Sequence, residues 1–337
     1  MGSRRVLRGL VALTFLTSFL AACGDDDDGD ATPVEEADDG GTAEEEVEAQ
    51  TIDVTGVDYA FSEAPTELDA GLVTINFTNE GEVEHEAAFV EIGDTPLTEF
   101  LPKFDPVFAG EGGGPIPAES ENLAVPVEAA AGETESATFL ISEGTYALMC
   151  SFDGDAEEQA EEGESDLEDE EEEPVTPERL HYNRGMAQVV TVGPATGAAE
   201  LPEADGTITA ADWSFEVDVA DGDTTINFEN TGPEQIHFAG ISLMPEGTDV
   251  ETAETSFAGQ FSETGPPEGA VEPEDDEFGF SGVYSTGLGG QFTVSEGFES
   301  GRTYIVYCFV QDRTGGPPHA IPEDMGGHGM FRAFTVE

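Results

Sequence analysis

Thr74-Ile75-Asn76-Phe77-Thr78-Asn79-Glu80-Gly81 recurs as Thr225-Ile226-Asn227-Phe228-Glu229-Asn230-Thr231-Gly232. Val73, Ile75 and Phe77 alternate with polar residues, as do Ile226 and Phe228, and a period of two marks a half-buried strand. Other blocks recur in the same order. Asp58-Tyr59-Ala60-Phe61 returns as Asp212-Trp213-Ser214-Phe215, and Thr145-Tyr146 as Thr303-Tyr304. Gly185-Met186-Ala187-Gln188-Val189-Val190-Thr191-Val192 returns as Gly329-Met330-Phe331-Arg332-Ala333-Phe334-Thr335-Val336. Order kept across all blocks indicates duplication. Gly and Pro punctuate every gap, and no stretch shows a strong helical apolar period. The expected fold is therefore all-β, with two tandem β-sandwiches at 51–197 and 205–337.

What precedes the repeats reads as targeting and tether. Residues 1–23 carry Arg4, Arg5 and Arg8, an apolar run from Leu10 to Leu20, and Leu20-Ala21-Ala22-Cys23, which resembles a lipobox. An exported chain anchored by lipid on Cys23 at the outer face of the cytoplasmic membrane is expected. Ser3-Arg4-Arg5 hints at twin-arginine export. Residues 24–50, opening on Asp25-Asp26-Asp27-Asp28, hold no aromatic residue and read as a disordered acidic tether. A second acidic run at about 153–178 reads as a loop insertion in the first sandwich.

Charge excludes some partners. Asp and Glu total 75 against 9 Lys and Arg, three of them in the export signal, and Lys103 is the only lysine. Such a chain repels nucleic acid and anionic lipid. The balance suits a protein that stays folded in high salt, or simply an acidic secreted one.

Four of the five histidines and both cysteines beyond the signal fall in one order that occurs twice: His85, Cys150, His181, Met186, then His237, Cys308, His319, Met330. Two imidazoles, a thiolate and a thioether form the donor set of a mononuclear blue-copper centre. Strand parity places Cys150 with Tyr146 and Leu148, and Cys308 with Tyr304 and Val306, on the inward face. By the same rule His85 shares a face with Ala87 and Phe89, and His237 with Ala239 and Ile241. The cysteines could instead be inert buried thiols or a disulfide, although equivalent positions in two separate sandwiches would rarely meet.

Asn-x-Gly followed by an inward His, then Thr-Tyr-x-x-x-Cys, then a loop with His and Gly-Met before a last strand ending in Thr-Val, resembles the cupredoxin family of plastocyanin and halocyanin. The resemblance covers nearly all of 51–337, once per repeat. It implies Greek-key β-sandwiches and one or two type 1 copper ions, held by His85, Cys150, His181 and Met186 and by His237, Cys308, His319 and Met330. Some features depart from that pattern. About thirty residues separate Cys150 from His181 where the family has few. His319 stands eleven residues before Met330 rather than five, leaving Met325 and His328 as rival ligands. The family's Asn after the strand histidine, which braces the loops, is replaced by Glu86 and Phe238, so a looser site or a shifted potential is expected.

No His-x-His pair, Gly-x-Ser-x-Gly elbow, His-Glu-x-x-His helix or phosphate loop occurs, so catalysis by this chain alone is not expected. The leading expectation is one-electron transfer with a redox partner protein. Copper capture and delivery between a donor and an acceptor, and a metal-free surface binding module, are the alternatives.

Overall fold

The computed structural model describes residues 49–109, 113–154, 175–196, 200–262 and 265–337. The export signal with Cys23, the tether except its last residues, and most of the acidic insertion lie outside the described residues. The first repeat runs β1 (Gln50–Val57), β2 (Ala60–Glu63), β3 (Glu67–Asp69), β4 (Gly71–Asn79), β5 (His85–Glu91), α1 (Leu97–Phe108), β6 (Leu123–Ala129), β7 (Thr134–Ile141), β8 (Gly144–Met149), α2 (His181–Arg184) and β9 (Ala187–Gly193). The second runs β10 (Gly206–Ala211), β11 (Ser214–Asp218), β12 (Thr225–Asn230), β13 (Gly240–Leu243), α3 (Val250–Gly259), β14 (Asp275–Phe280), β15 (Val283–Tyr284), β16 (Gly289–Thr293), β17 (Thr303–Tyr307) and β18 (Phe331–Thr335).

Both copies of the repeated alternating stretch are strands, β4 and β12, and Val73, Ile75, Phe77, Ile226 and Phe228 are each 0% exposed. Each lies parallel to the strand that opens its repeat, β1 or β10. The fold is all-β, in three sheets, two of which cross the repeat boundary. β16 pairs with β7 to build one eight-stranded sheet, in the order β11-β10-β12-β16-β7-β4-β1-β2. β15 adds to the edge of β6 in the six-stranded sheet β15-β6-β5-β8-β9-β3. The four-stranded sheet is β14-β13-β17-β18. One buried apolar cluster runs through both repeats and contains Cys150, Met186, Cys308 and Met330.

The strands that carry the cysteines are buried on both faces. Tyr146, Leu148 and Cys150 face the main cluster, while Ala147 and Met149 face a second one built on Phe100 and Phe104 of α1. Likewise Tyr304, Val306 and Cys308 face inward, while Ile305 and Tyr307 pack with Phe257 of α3. These two helices were not foreseen. Pro102 and Pro106 lie inside α1 and read as breakers, yet Leu97, Phe100, Leu101, Phe104, Val107 and Phe108 recur at helical spacing and pack on β8 and its neighbours. Burial of that stripe outweighs the proline penalty.

Candidate metal centres

Each centre starts from its asparagine. Asn79, fully buried at the end of β4, donates to the carbonyls of Val83 and Ala129 at 2.7 and 2.8 Å and accepts from Gly81 N at 2.9 Å. Asn230 repeats this with Gln235, Tyr284 and Gly232. These bonds fix the turn that delivers His85 and His237. The glycine of Asn-x-Gly is a space requirement: a Cβ at Gly81 would lie 2.9 Å from His85 Nε2, and one at Gly232 would lie 3.3 Å from His237 Nε2.

The expected donors converge. His85 Nδ1 and His181 Nδ1 are 3.1 Å apart, and Cys150 Sγ lies 3.8 Å from the first and 3.4 Å from the second. Cys308 Sγ lies 3.8 Å from His237 Nδ1 and 3.6 Å from His319 Nδ1. With metal–nitrogen and metal–sulfur bonds of about 2.0–2.3 Å, three donors around one ion stand roughly 3.5–4 Å apart, so both triangles suit a single ion. All six side chains are 0% exposed. Both cysteines are free thiols, which sets the disulfide alternative aside.

Protonation fits ligation. Burial lowers His85, His181 and His319 to about 4 and His237 to about 3, so every ring is neutral at neutral pH. Burial raises Cys308 to about 12, against the opposing backbone N–H groups of Phe238 and Val310, and holds Cys150 well above its usual value. A cation entering either triangle therefore displaces a thiol proton.

The outward nitrogen of each loop histidine faces an oxygen acceptor. His181 Nε2 donates to the Gly154 carbonyl at 3.1 Å, which also accepts from Arg184 Nη1 at 2.9 Å. His319 Nε2 faces Asp312 Oδ1 at 3.3 Å. The outward bond of His181 sets its tautomer and ring orientation. An aromatic ring roofs each pair. Tyr59 meets His181 edge-on at 5.0 Å beneath the Arg184 guanidinium, and Trp213 meets His319 at 4.8 Å. Tyr59, Trp213, Gly154 and Asp312 received no role from the sequence; only the recurrence of Asp58-Tyr59 as Asp212-Trp213 hinted at the roofs.

The rival residues stand elsewhere. Met325 is 40% exposed on the short 3-10 helix Glu323–Met325. His328 stacks on Trp213 at 3.6 Å and bonds Asp312 Oδ2 at 3.2 Å, outside the donor triangle. Met186 and Met330 are both fully buried at matching backbone positions. Met186 N bonds His181 O and Cys150 N bonds Met186 O, just as Met330 N bonds His319 O and Cys308 N bonds Met330 O. The Met186 methyl packs at Gly56, where a Cβ would come within 3.0 Å of it.

Unequal spacing is absorbed at one place. Asp153 bridges Leu180 in the first repeat and Gln311 bridges Pro318 in the second, each starting three residues after the cysteine and closing one before the histidine. The acidic insertion leaves and returns at that base without separating Cys150 from His181. Expectation and structure part over the brace. Glu86 accepts from Ser151 N at 2.8 Å and from Ser151 Oγ, so it ties the histidine strand to the residue after Cys150. Phe238 makes no such bond and packs on Phe280 and Tyr307. Loss of the polar brace is therefore confined to the second centre.

No protein-family model matches the chain. No curated protein matches it either. Among solved structures it is similar to auracyanin B, with 25% identity over 43% of this chain and 90% of that one at a TM-score of 0.27. A dithionite-reduced auracyanin from the photosynthetic bacterium Roseiflexus castenholzii matches with 21% identity over 43% of this chain and 98% of that one, at 0.27. A copper nitrite reductase from Nitrosomonas europaea matches with 13% identity over 86% and 93%, at 0.20.

Proposed function

We propose that this chain is a cupredoxin-like copper protein that passes single electrons outside the cytoplasmic membrane, tethered there by lipid on Cys23. Its first copper is held by His85, Cys150, His181 and Met186, and its second by His237, Cys308, His319 and Met330. The observation that carries the reading is the paired convergence of two imidazole Nδ1 atoms on one buried Sγ. Bound copper supplies reversible Cu(I)/Cu(II) chemistry in a trigonal set that accepts both states, with a weak axial thioether. The chain presents neutral imidazoles, excludes water, and restrains the rings through Gly154 and Asp312. Two buried His–Cys groupings occur among the described residues, each with the donors for one ion. An acidic surface of this size calls for a cationic redox partner or for contact under salt screening.

Copper added to the purified protein tests the reading. Intense blue absorption with reversible bleaching on reduction supports it. Tight, colourless Cu(I) binding supports capture and delivery instead, and absence of binding sinks both. Mass spectrometry of the membrane-extracted form should find diacylglycerol on Cys23; an unmodified Cys23 refutes the anchor.

A further inference from the structure

The two centres differ in what holds them. Around the first, the outward contacts stay in the first repeat: His181 on Gly154, and Tyr182 and Asn183 on Asp105 at 3.0 and 2.7 Å. Around the second, the loop contacts cross into the other repeat, while His237 is held within its own. His237 N bonds Tyr284 O at 3.0 Å and Tyr284 N bonds His237 O at 2.9 Å. Tyr284 belongs to β15, which pairs with Ala124 and Val125 of β6 in the first repeat.

The loop of His319 reaches the first repeat directly. His319 Nε2 faces Asp312, and the next residue, Arg313, is half-buried against the first repeat. Arg313 Nη1 donates to Ser120 O at 2.6 Å, while Nη2 donates to Glu121 O at 2.6 Å and to Ser285 Oγ at 3.1 Å. Arg313 N donates to Gln235 Oε1 at 3.1 Å, two residues before His237, and Arg313 O accepts from Ile116 N at 2.9 Å. The two loops touch so closely that a Cβ at Gly113, whose φ is +80°, would fall 2.0 Å from Gln311 Oε1.

We infer that the second copper site is composite: the loop that carries His319 is seated on the first repeat, and Arg313 is the positioning residue that holds it there. This rests on the copper reading above. A guanidinium suits the task because its rigid fork reaches two carbonyls at once, which a lysine ammonium does not. The two copper sites are thus not independent copies, and the second belongs to the tandem.

The experiment uses the full chain. Arg313→Ala and Arg313→Lys are loaded with copper in competition with a chelator, and each site is read separately: the second by quenching of Trp213, the only tryptophan, and both by their absorption bands and potentials. Arg313→Ala should weaken copper at the second site by about 10–100-fold and shift its band and potential, as loss of an outer support does. Arg313→Lys should fall between, and the first site should keep its affinity and band in both. The inference is overturned if Arg313→Ala fills the second site with unchanged affinity and band. It is overturned equally if both variants weaken the two sites alike, which would make Arg313 a general fold contact. Failure of the unsubstituted chain to take copper at the second site is a separate result and defeats the copper reading itself.

Discussion

Trp213 lies 4.8 Å from His319 and 6.1 Å from His237 by ring centroids, which makes it a reporter built into the second centre. Cu(II) should quench its fluorescence strongly. In Cys308→Ser the quenching should vanish, whereas in Cys150→Ser it should persist; quenching that follows Cys150 would refute the assignment. Proton linkage gives a second residue-level expectation. Between about pH 4 and neutrality the histidines are already neutral and each cysteine still holds its proton, so each ion bound releases one proton. Affinity should rise by about tenfold per pH unit in that window, and more steeply below it where the imidazoles also titrate. Competition titrations across the range check the slope, and a flat profile would contradict a protonated thiol.

At the scale of elements, α1 and α3 cap the outer faces of the cysteine strands. Phe257 of α3 contacts Tyr307, Phe309 and Phe331 with centroids 5.1–5.9 Å away. Phe257→Ala should cost about 3–5 kcal/mol in denaturant unfolding, since it empties the space behind β17. A loss below about 1 kcal/mol would mean that the helix is dispensable. The closed loop bases carry a different expectation. With Asp153 bridged to Leu180, grafting residues 312–317 in place of 155–174 should leave copper at the first centre, because both loops leave and return at the same positions. Copper stoichiometry and the first-site band test it. The strands behind this frame were legible because period-two alternation is written locally, as at Val73, Ile75 and Phe77. Helix α1 was not, because its prolines mask a stripe that only its docking partner stabilises.

For the molecule as a whole, charge and continuity matter most. A formal net charge of −66 sets the chain against itself, and added salt shortens the reach of that repulsion to about 3 Å at 1 M. The melting temperature should climb with sodium chloride, and a salt-independent value would remove the case for a surface adapted to brine. Continuity came from pairings across the repeats, β16 on β7 and β15 on β6, which join what the sequence presented as two separate sandwiches.

By itself the sequence determined the repeated blocks, the strand alternation, the inward cysteines and the order of the histidines, cysteines and methionines, because each is carried by neighbours along the chain. Tertiary structure alone decided which histidine of the second loop meets Cys308, how Glu86 braces one centre and Phe238 leaves the other without a polar tie, and where Arg313 anchors. Those outcomes rest on backbone carbonyls and N–H groups brought together from distant positions, and such groups are the same in every residue type that could stand there.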